Sequence, residues 1–171
     1  MISVYNEKQV CDLQLCKRKL EDADKQLLLK TISKKPKLRL YKQIMCEEGV
    51  ENYVKLNLTS GERSMIAQIR MGILPIRIET GRFTNMKIKD RICQFCNTGA
   101  IEDELHFMFH CSLYDVTRRK LFHTIKNDGV EFSTLSDLDK YKMLNTKYAR
   151  QFAKYIVNIF QERRNSEYKE N

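Results

Sequence analysis

The 171-residue sequence contains no run approaching the roughly 18 to 20 consecutive apolar residues that a helix needs to cross a bilayer. Its opening, MISVYNEKQV, lacks the basic flank and apolar stretch of a secretion signal. These absences argue against membrane association and lead us to expect an intracellular protein, nuclear or cytoplasmic. Period-two alternation never lasts long enough to make a central strand, although 76–82 and 87–92 read as short extended pieces. There is no internal repeat, and no low-complexity segment apart from the polar tail 165–171, so a stacked-repeat architecture is not expected. Acidic residues are in deficit: 22 Asp and Glu stand against 31 Lys and Arg, for a formal charge of +9. Such a chain is drawn to polyanions, because each neutralised phosphate releases condensed counterions. Charge alone names no partner. With 42% hydrophobic and 31% charged residues the composition is that of a soluble folded chain.

What is present is helical periodicity. Val10, Leu13, Leu20 and Leu27 recur at intervals of three and seven, predicting a long helix over 6–33 that Pro36 stops. Its apolar stripe is thin, so the helix either packs by one edge or projects as an arm. Between Lys17 and Lys42 ten basic residues face three acidic ones. A second helix is expected over 37–48 with Leu38, Tyr41, Ile44 and Met45 inward and Gly49 at its end, and a short one over 53–56. Thr59 and Glu62 form a capping box opening a helix with Met65, Ile66, Ile69 and Ile73 on one face, closed by Pro75. Leu113, Val116, Leu121 and Ile125 suit a helix ending in the turn Asn127-Asp128-Gly129. A further helix is expected over 134–144. A last one, over 147–164, sets Phe152, Tyr155, Ile156, Ile159 and Phe160 on a broad core-facing stripe. The fold class is mainly α.

Six cysteines in a chain of this kind raise metal ligation before disulfides. Cys11, Cys16 and Cys46 have no ligand-spaced partner and read as ordinary small apolar residues. Cys93 and Cys96 lie across a tight turn, with Asn97 and Gly99 able to supply the backbone conformations a knuckle requires. His106 and Cys111 follow, giving C-x2-C-x9-H-x4-C. Four such donors suit one tetrahedral Zn2+ with no position left for water, hence a structural site. Glu102, Asp103 and Glu104 fall in the first turn of a short helix carrying His106, where acids complement the dipole. In a regular α-helix a five-residue step rotates by about 140°, so the helix must loosen or end before Cys111 for both residues to bind. Ser112 is then free to cap the next helix. His110 is an alternative fourth ligand, which would make a Cys2His2 set with a loop shorter than the usual finger.

The segments RMGILPIRIETGRF, RICQFC and EDELHFMFHCSLYDVTRRKLF resemble the zinc-binding region that follows the polymerase domain in non-LTR (LINE-type) retrotransposon reverse transcriptases. The resemblance covers about a third of the chain strongly and places the family's ligands at Cys93, Cys96, His106 and Cys111. It implies a nucleic-acid partner, whether RNA, DNA or their hybrid; a separately supplied polymerase domain is the protein partner of an alternative reading. It does not imply catalysis: there is no Tyr-x-Asp-Asp tetrapeptide and no paired-carboxylate nuclease pattern. No enzymatic activity and no small-molecule substrate are expected.

The expected organisation is therefore a basic helical arm with connecting helices (1–58), a zinc-binding module (59–126), C-terminal helices (127–164) and a polar tail (165–171). Candidate phosphate contacts are Arg63, Arg70, Arg77, Arg82, Arg91, Arg118, Arg119 and Lys120, with Phe95 placed to stack on an unpaired base. Arg118 and Arg119 are equally suited to pairing with the acids at 102–104. A zinc-structured protein-interaction module docking through the N-terminal helix, and a non-functional retroelement remnant, are the alternative readings.

Overall fold

The computed structural model describes residues 2–44 and 51–167, with side chains from Leu13 onward. The expectations for Val10, Cys11, Met45, Cys46, Gly49 and the end of the tail fall on residues or side chains outside that description. The chain divides into two compact units, 1–38 and 39–171.

The first unit is α1 (Ile2–Ser33), followed by a 3-10 turn at Pro36–Leu38. Proline cannot continue a helix, and α1 ends three residues before Pro36, as expected. Leu13, Leu20 and Leu27, the thin stripe, are all more than 60% exposed. Cys16 is exposed and free.

The second unit holds α2 (Tyr41–Ile44), α3 (Asn52–Lys55), α4 (Ser60–Arg70), α5 (Arg77–Thr80), α6 (Asp115–Asn127), α7 (Asp137–Thr146) and α8 (Ala149–Glu167). The only β pairing among the described residues is an isolated antiparallel bridge between Ile92 and Ile101. The mainly helical class is thus as expected. The pieces at 76–82 and 87–92 are not extended: the first contains α5 and the second a 3-10 turn at Ile88–Asp90.

The core forms where α8 packs against α4, α6 and α7. Phe152, Tyr155, Ile156 and Ile159 of α8 are buried there with Ile66 and Ile69 of α4, Leu121 and Ile125 of α6, and Tyr141 and Leu144 of α7. Each such side chain contributes about 1.5 to 3 kcal/mol on leaving water, so this wide stripe dominates the unit's stability. Because it draws on both 59–126 and 127–164, those two segments share one core.

Local signals explain most boundaries. The Thr59 hydroxyl accepts from the Glu62 N–H, and the Glu62 carboxylate accepts from the Thr59 N–H, which is the anticipated capping box. Ser136 caps α7 by accepting from the Asp139 N–H. Gly129 is left-handed after α6, as the turn sequence requires. Further expectations need correction: residues 37–44 form no single helix but the end of a 3-10 turn and the separate α2. The chain leaves α4 at Arg70, with Gly72 left-handed, so Pro75 does not end that helix and Ile73 lies outside it, 47% exposed. Val116 is 58% exposed rather than inward. Ser112 does not cap α6; it begins a 3-10 turn, Ser112–Tyr114, that leads into the helix.

Candidate metal centre

Two structural pieces carry the four donors. The first is a tight hairpin in which the Cys93 N–H donates to the Ala100 carbonyl and the Glu102 N–H to the Arg91 carbonyl, both at 2.9 Å. Its turn bears Cys93 and Cys96. Gly99 closes it with φ of +67°, a left-handed conformation that a Cβ disfavours. Asn97 shows no positive φ, so of the two residues singled out for this turn only the glycine is needed.

The second piece runs from Asp103 to Cys111. Asp103 caps it, its carboxylate accepting from the His106 N–H at 2.8 Å. The helix then widens into a π turn, His106–His110, in which the Cys111 N–H donates to the His106 carbonyl at 2.9 Å. This i to i+5 bond sets Cys111 one wide turn beyond His106, and the backbone becomes extended at Cys111 (φ −63°, ψ 125°). A regular α-helix would have separated the two side chains, and the loosening inferred from the five-residue step takes this form.

The donor atoms of Cys93, Cys96, His106 and Cys111 all lie within 4.8 Å of one another. Cys93 Sγ is 3.8 Å from Cys111 Sγ, and Cys96 Sγ is 3.4 Å from His106 Nε2. Cys93, His106 and Cys111 are buried and Cys96 is half-buried. The cluster could hold one metal ion. His110 is not part of it: its ring is exposed and its Nε2 meets Asp137 Oδ2 at 2.5 Å. The structure therefore assembles the Cys3His set and not the Cys2His2 alternative.

The electrostatics favour thiolate at Cys93. A hydrogen bond from the Cys111 thiol holds the Cys93 thiol well below its ordinary value, helped by His106 against the opposing effect of burial. The same bond, with burial, pushes Cys111 up. His106 is raised chiefly by its hydrogen bond to Cys93. A cation entering the cluster would displace these shared protons.

Around the cluster lies a set of buried ion pairs that sequence reasoning missed. Glu102 is 1% exposed; its Oε1 is 3.9 Å from Cys93 Sγ and is paired with Arg163 of α8. Its Oε2 accepts from the Arg77 N–H at 2.8 Å, and its backbone carbonyl from the Ile78 N–H at 3.0 Å, so Glu102 also caps α5. Glu104 is likewise buried and is held by Arg39 in a two-bond fork. Burial pushes both carboxyls above the usual range, and the arginines oppose that. Of the three acids read as complementing the helix dipole, Asp103 caps the helix and Glu104 opens it, whereas Glu102 lies before it. Charge count gives no hint of the Arg163 pairing, because 61 residues separate the partners.

The predicted phosphate contacts divide sharply. Arg63, Arg82, Arg119 and Lys120 are exposed, and Arg77 is half-buried. Arg82 is paired with the buried Glu79 at 2.9 Å. Arg70, Arg91 and Arg118 are buried, which corrects their placement on a phosphate-facing surface. Arg70 donates to Asn145 and pairs with Glu51. Arg91 donates to the carbonyls of Met86 and Ile78. Arg118 donates to the carbonyls of Met108 and Cys111 and pairs with Asp115, tying the π turn to α6. Neither Arg118 nor Arg119 reaches the acids at 102–104. Phe95 is half-buried, with the Arg163 guanidinium 4.5 Å from its ring centroid.

Comparison with protein-family models, with curated proteins and with solved structures gives no match.

Proposed function

We propose that the chain is a zinc-structured module that binds nucleic acid and carries no active site of its own. The observation that carries the metal half is the convergence of three sulfurs and one imidazole nitrogen within 4.8 Å. Tetrahedral zinc, with bonds of about 2.3 Å to sulfur and about 2.0 Å to nitrogen, puts two sulfurs about 3.8 Å apart and a sulfur and a nitrogen about 3.5 Å apart. The separations of 3.8 and 3.4 Å match those spacings. Four protein donors complete the coordination shell, so the ion organises the hairpin and the π turn and presents no exchangeable position. Three thiolates and one divalent cation leave the centre with one negative charge, which the buried Arg163 and Arg118 help to balance.

The nucleic-acid half is supported by the charge of +9, by the exposed Arg63, Arg119 and Lys120, and by the resemblance to the retroelement reverse-transcriptase zinc-binding region. RNA, DNA and their hybrid all fit that support, as does a separately supplied polymerase domain as the protein partner. The exposed leucines of α1 favour the second reading, a module whose zinc holds a surface for another protein.

Elemental analysis of metal-replete protein is expected to give one zinc per chain, kept by His110→Ala and lost by Cys111→Ser. A stoichiometry well below one in the unaltered protein sinks the metal reading. For the ligand, affinity for an oligonucleotide is expected to drop steeply between 50 and 200 mM salt. Absence of binding at low salt contradicts the nucleic-acid reading, and protection of α1 by a protein partner would put the second in its place.

A further inference from the structure

The basic residues nearest the metal are mostly consumed by internal contacts, which leaves open where an unpaired base would be held. Phe95, the aromatic that sequence order suggests, has the Arg163 guanidinium over its ring. Phe83 is different. It is 78% exposed, more than any other large apolar side chain among the described residues.

Its exposure is built into the backbone. Residues 81–91 form a closed loop in which the Met86 N–H donates to the Gly81 carbonyl at 2.8 Å. The buried Arg91 then grips the loop from inside: Nε and Nη2 both donate to the Met86 carbonyl, at 3.0 and 2.8 Å, and Nη1 to that of Ile78 at 2.6 Å. The stem of Arg91 lies so close to Gly81 that an added Cβ would meet it at 2.8 Å and the Arg77 carbonyl at 2.9 Å. Asn85 supplies the left-handed residue of the turn (φ 52°). A guanidinium fork buried beneath a tight loop is an expensive arrangement for a loop whose tip does nothing. It holds the tip in one shape, and a platform ordered before binding loses less entropy when it engages a ligand.

We propose that this loop is a site for single-stranded nucleic acid, in which Phe83 stacks on an unpaired base and Lys87 and Lys89 meet the flanking phosphates. Both lysines are exposed, and Asp90 is the loop's sole acid. A solvent-facing aromatic ring with exposed cations in the same loop is the chemistry of sequence-tolerant single-strand binding. A protein partner fits less well, because the centre of a protein interface disfavours lysine. The inference rests on the nucleic-acid reading above and adds the site and the strandedness.

The test uses the full zinc-loaded chain, with a fluorescent oligothymidylate and a duplex of equal length, both read by anisotropy. Phe83→Ala is expected to weaken single-strand binding by about tenfold and to leave duplex binding and the melting temperature unchanged. Phe83→Tyr should retain affinity, and Phe83→Trp should show quenched indole fluorescence on adding the single strand. Lys87→Ala with Lys89→Ala should lower the salt slope for the same ligand. If the unaltered chain binds neither oligonucleotide, the nucleic-acid reading fails and this site with it. If it binds and Phe83→Ala binds equally well, only the site is overturned. Loss of self-association in Phe83→Ala with oligonucleotide binding intact would overturn it too, marking the loop as a protein contact.

Discussion

Arg163 stands at a point where one side chain answers two needs. It neutralises Glu102 within 4 Å of the Cys93 sulfur and lies over the Phe95 ring. Breaking a buried pair from one side leaves an uncompensated charge, which costs about 3 to 5 kcal/mol. Arg163→Met should therefore lower the urea-unfolding free energy of the metal-loaded protein by about that much. Adding Glu102→Gln should restore a large part of it, since the charge that suffers is then absent. A single variant within about 1 kcal/mol of the parent would show that the pair is not what holds α8 to the knuckle. At this scale Cys93, Cys96 and His106 were legible as candidate donors from spacing, because a chelate is a local sequence pattern, while the choice of Cys111 over His110 took the geometry. The buried ion pairs around them were not legible, since Arg39 and Arg163 come from 65 and 61 residues away and look like any surface arginine. The same blindness placed Arg70, Arg91 and Arg118 on the surface: a count of charge carries no information on which guanidinium finds carbonyls inside.

Element boundaries follow local chemistry, and their energetics can be read one at a time. Thr59→Ala removes the cap of α4 and should cost about 1 kcal/mol, visible as a lower melting temperature with unchanged zinc content. The hydrogen bond from the Thr59 N–H holds Glu62 below its ordinary carboxyl value of 4.5. A lowered folded value means that the carboxylate's contribution is complete above the unfolded value and disappears as pH falls through the folded one. The stability advantage of the parent over Glu62→Gln should thus be constant from pH 5 to 8 and shrink below about pH 4.5. An advantage that persists at pH 3 would mean that the cap works through packing. The π turn is the element whose form no periodicity announces. That the helix must loosen or end was deducible, since His106 and Cys111 cannot share an α-helical face. Its realisation required the core, where Phe107, Met108 and Phe109 are buried and fix the widened turn. The capping box and the α8 stripe were readable because their partners are within four residues. The end of α4 was misread because the local stop signal, left-handed Gly72, was passed over for Pro75, and the orientation of Val116 because tertiary packing decides it.

On the scale of the molecule, the proposed ion would make folding and metal binding one equilibrium. An ion that binds the assembled site and not the unfolded chain raises the apparent stability with the logarithm of its free concentration. The melting temperature should therefore climb with buffered free zinc and fall on adding a chelator, with near-ultraviolet circular dichroism of the hairpin and π-turn region changing first. A melting curve indifferent to free zinc across three orders of magnitude would detach the ion from the fold.

The position of Glu102 has a practical corollary for anyone who trims this chain to its motif. A fragment of 59–126 contains all four donors and by the spacing rule is complete, yet it omits the helix that supplies the guanidinium. The carboxylate would then sit against a negatively charged sulfur cluster with nothing to offset it, and the peptide should load the ion weakly and only at lower pH shed that burden by taking up a proton. The guanidiniums that hold Glu102 and Glu104, on Arg163 and Arg39, both lie outside the signature that reveals the centre.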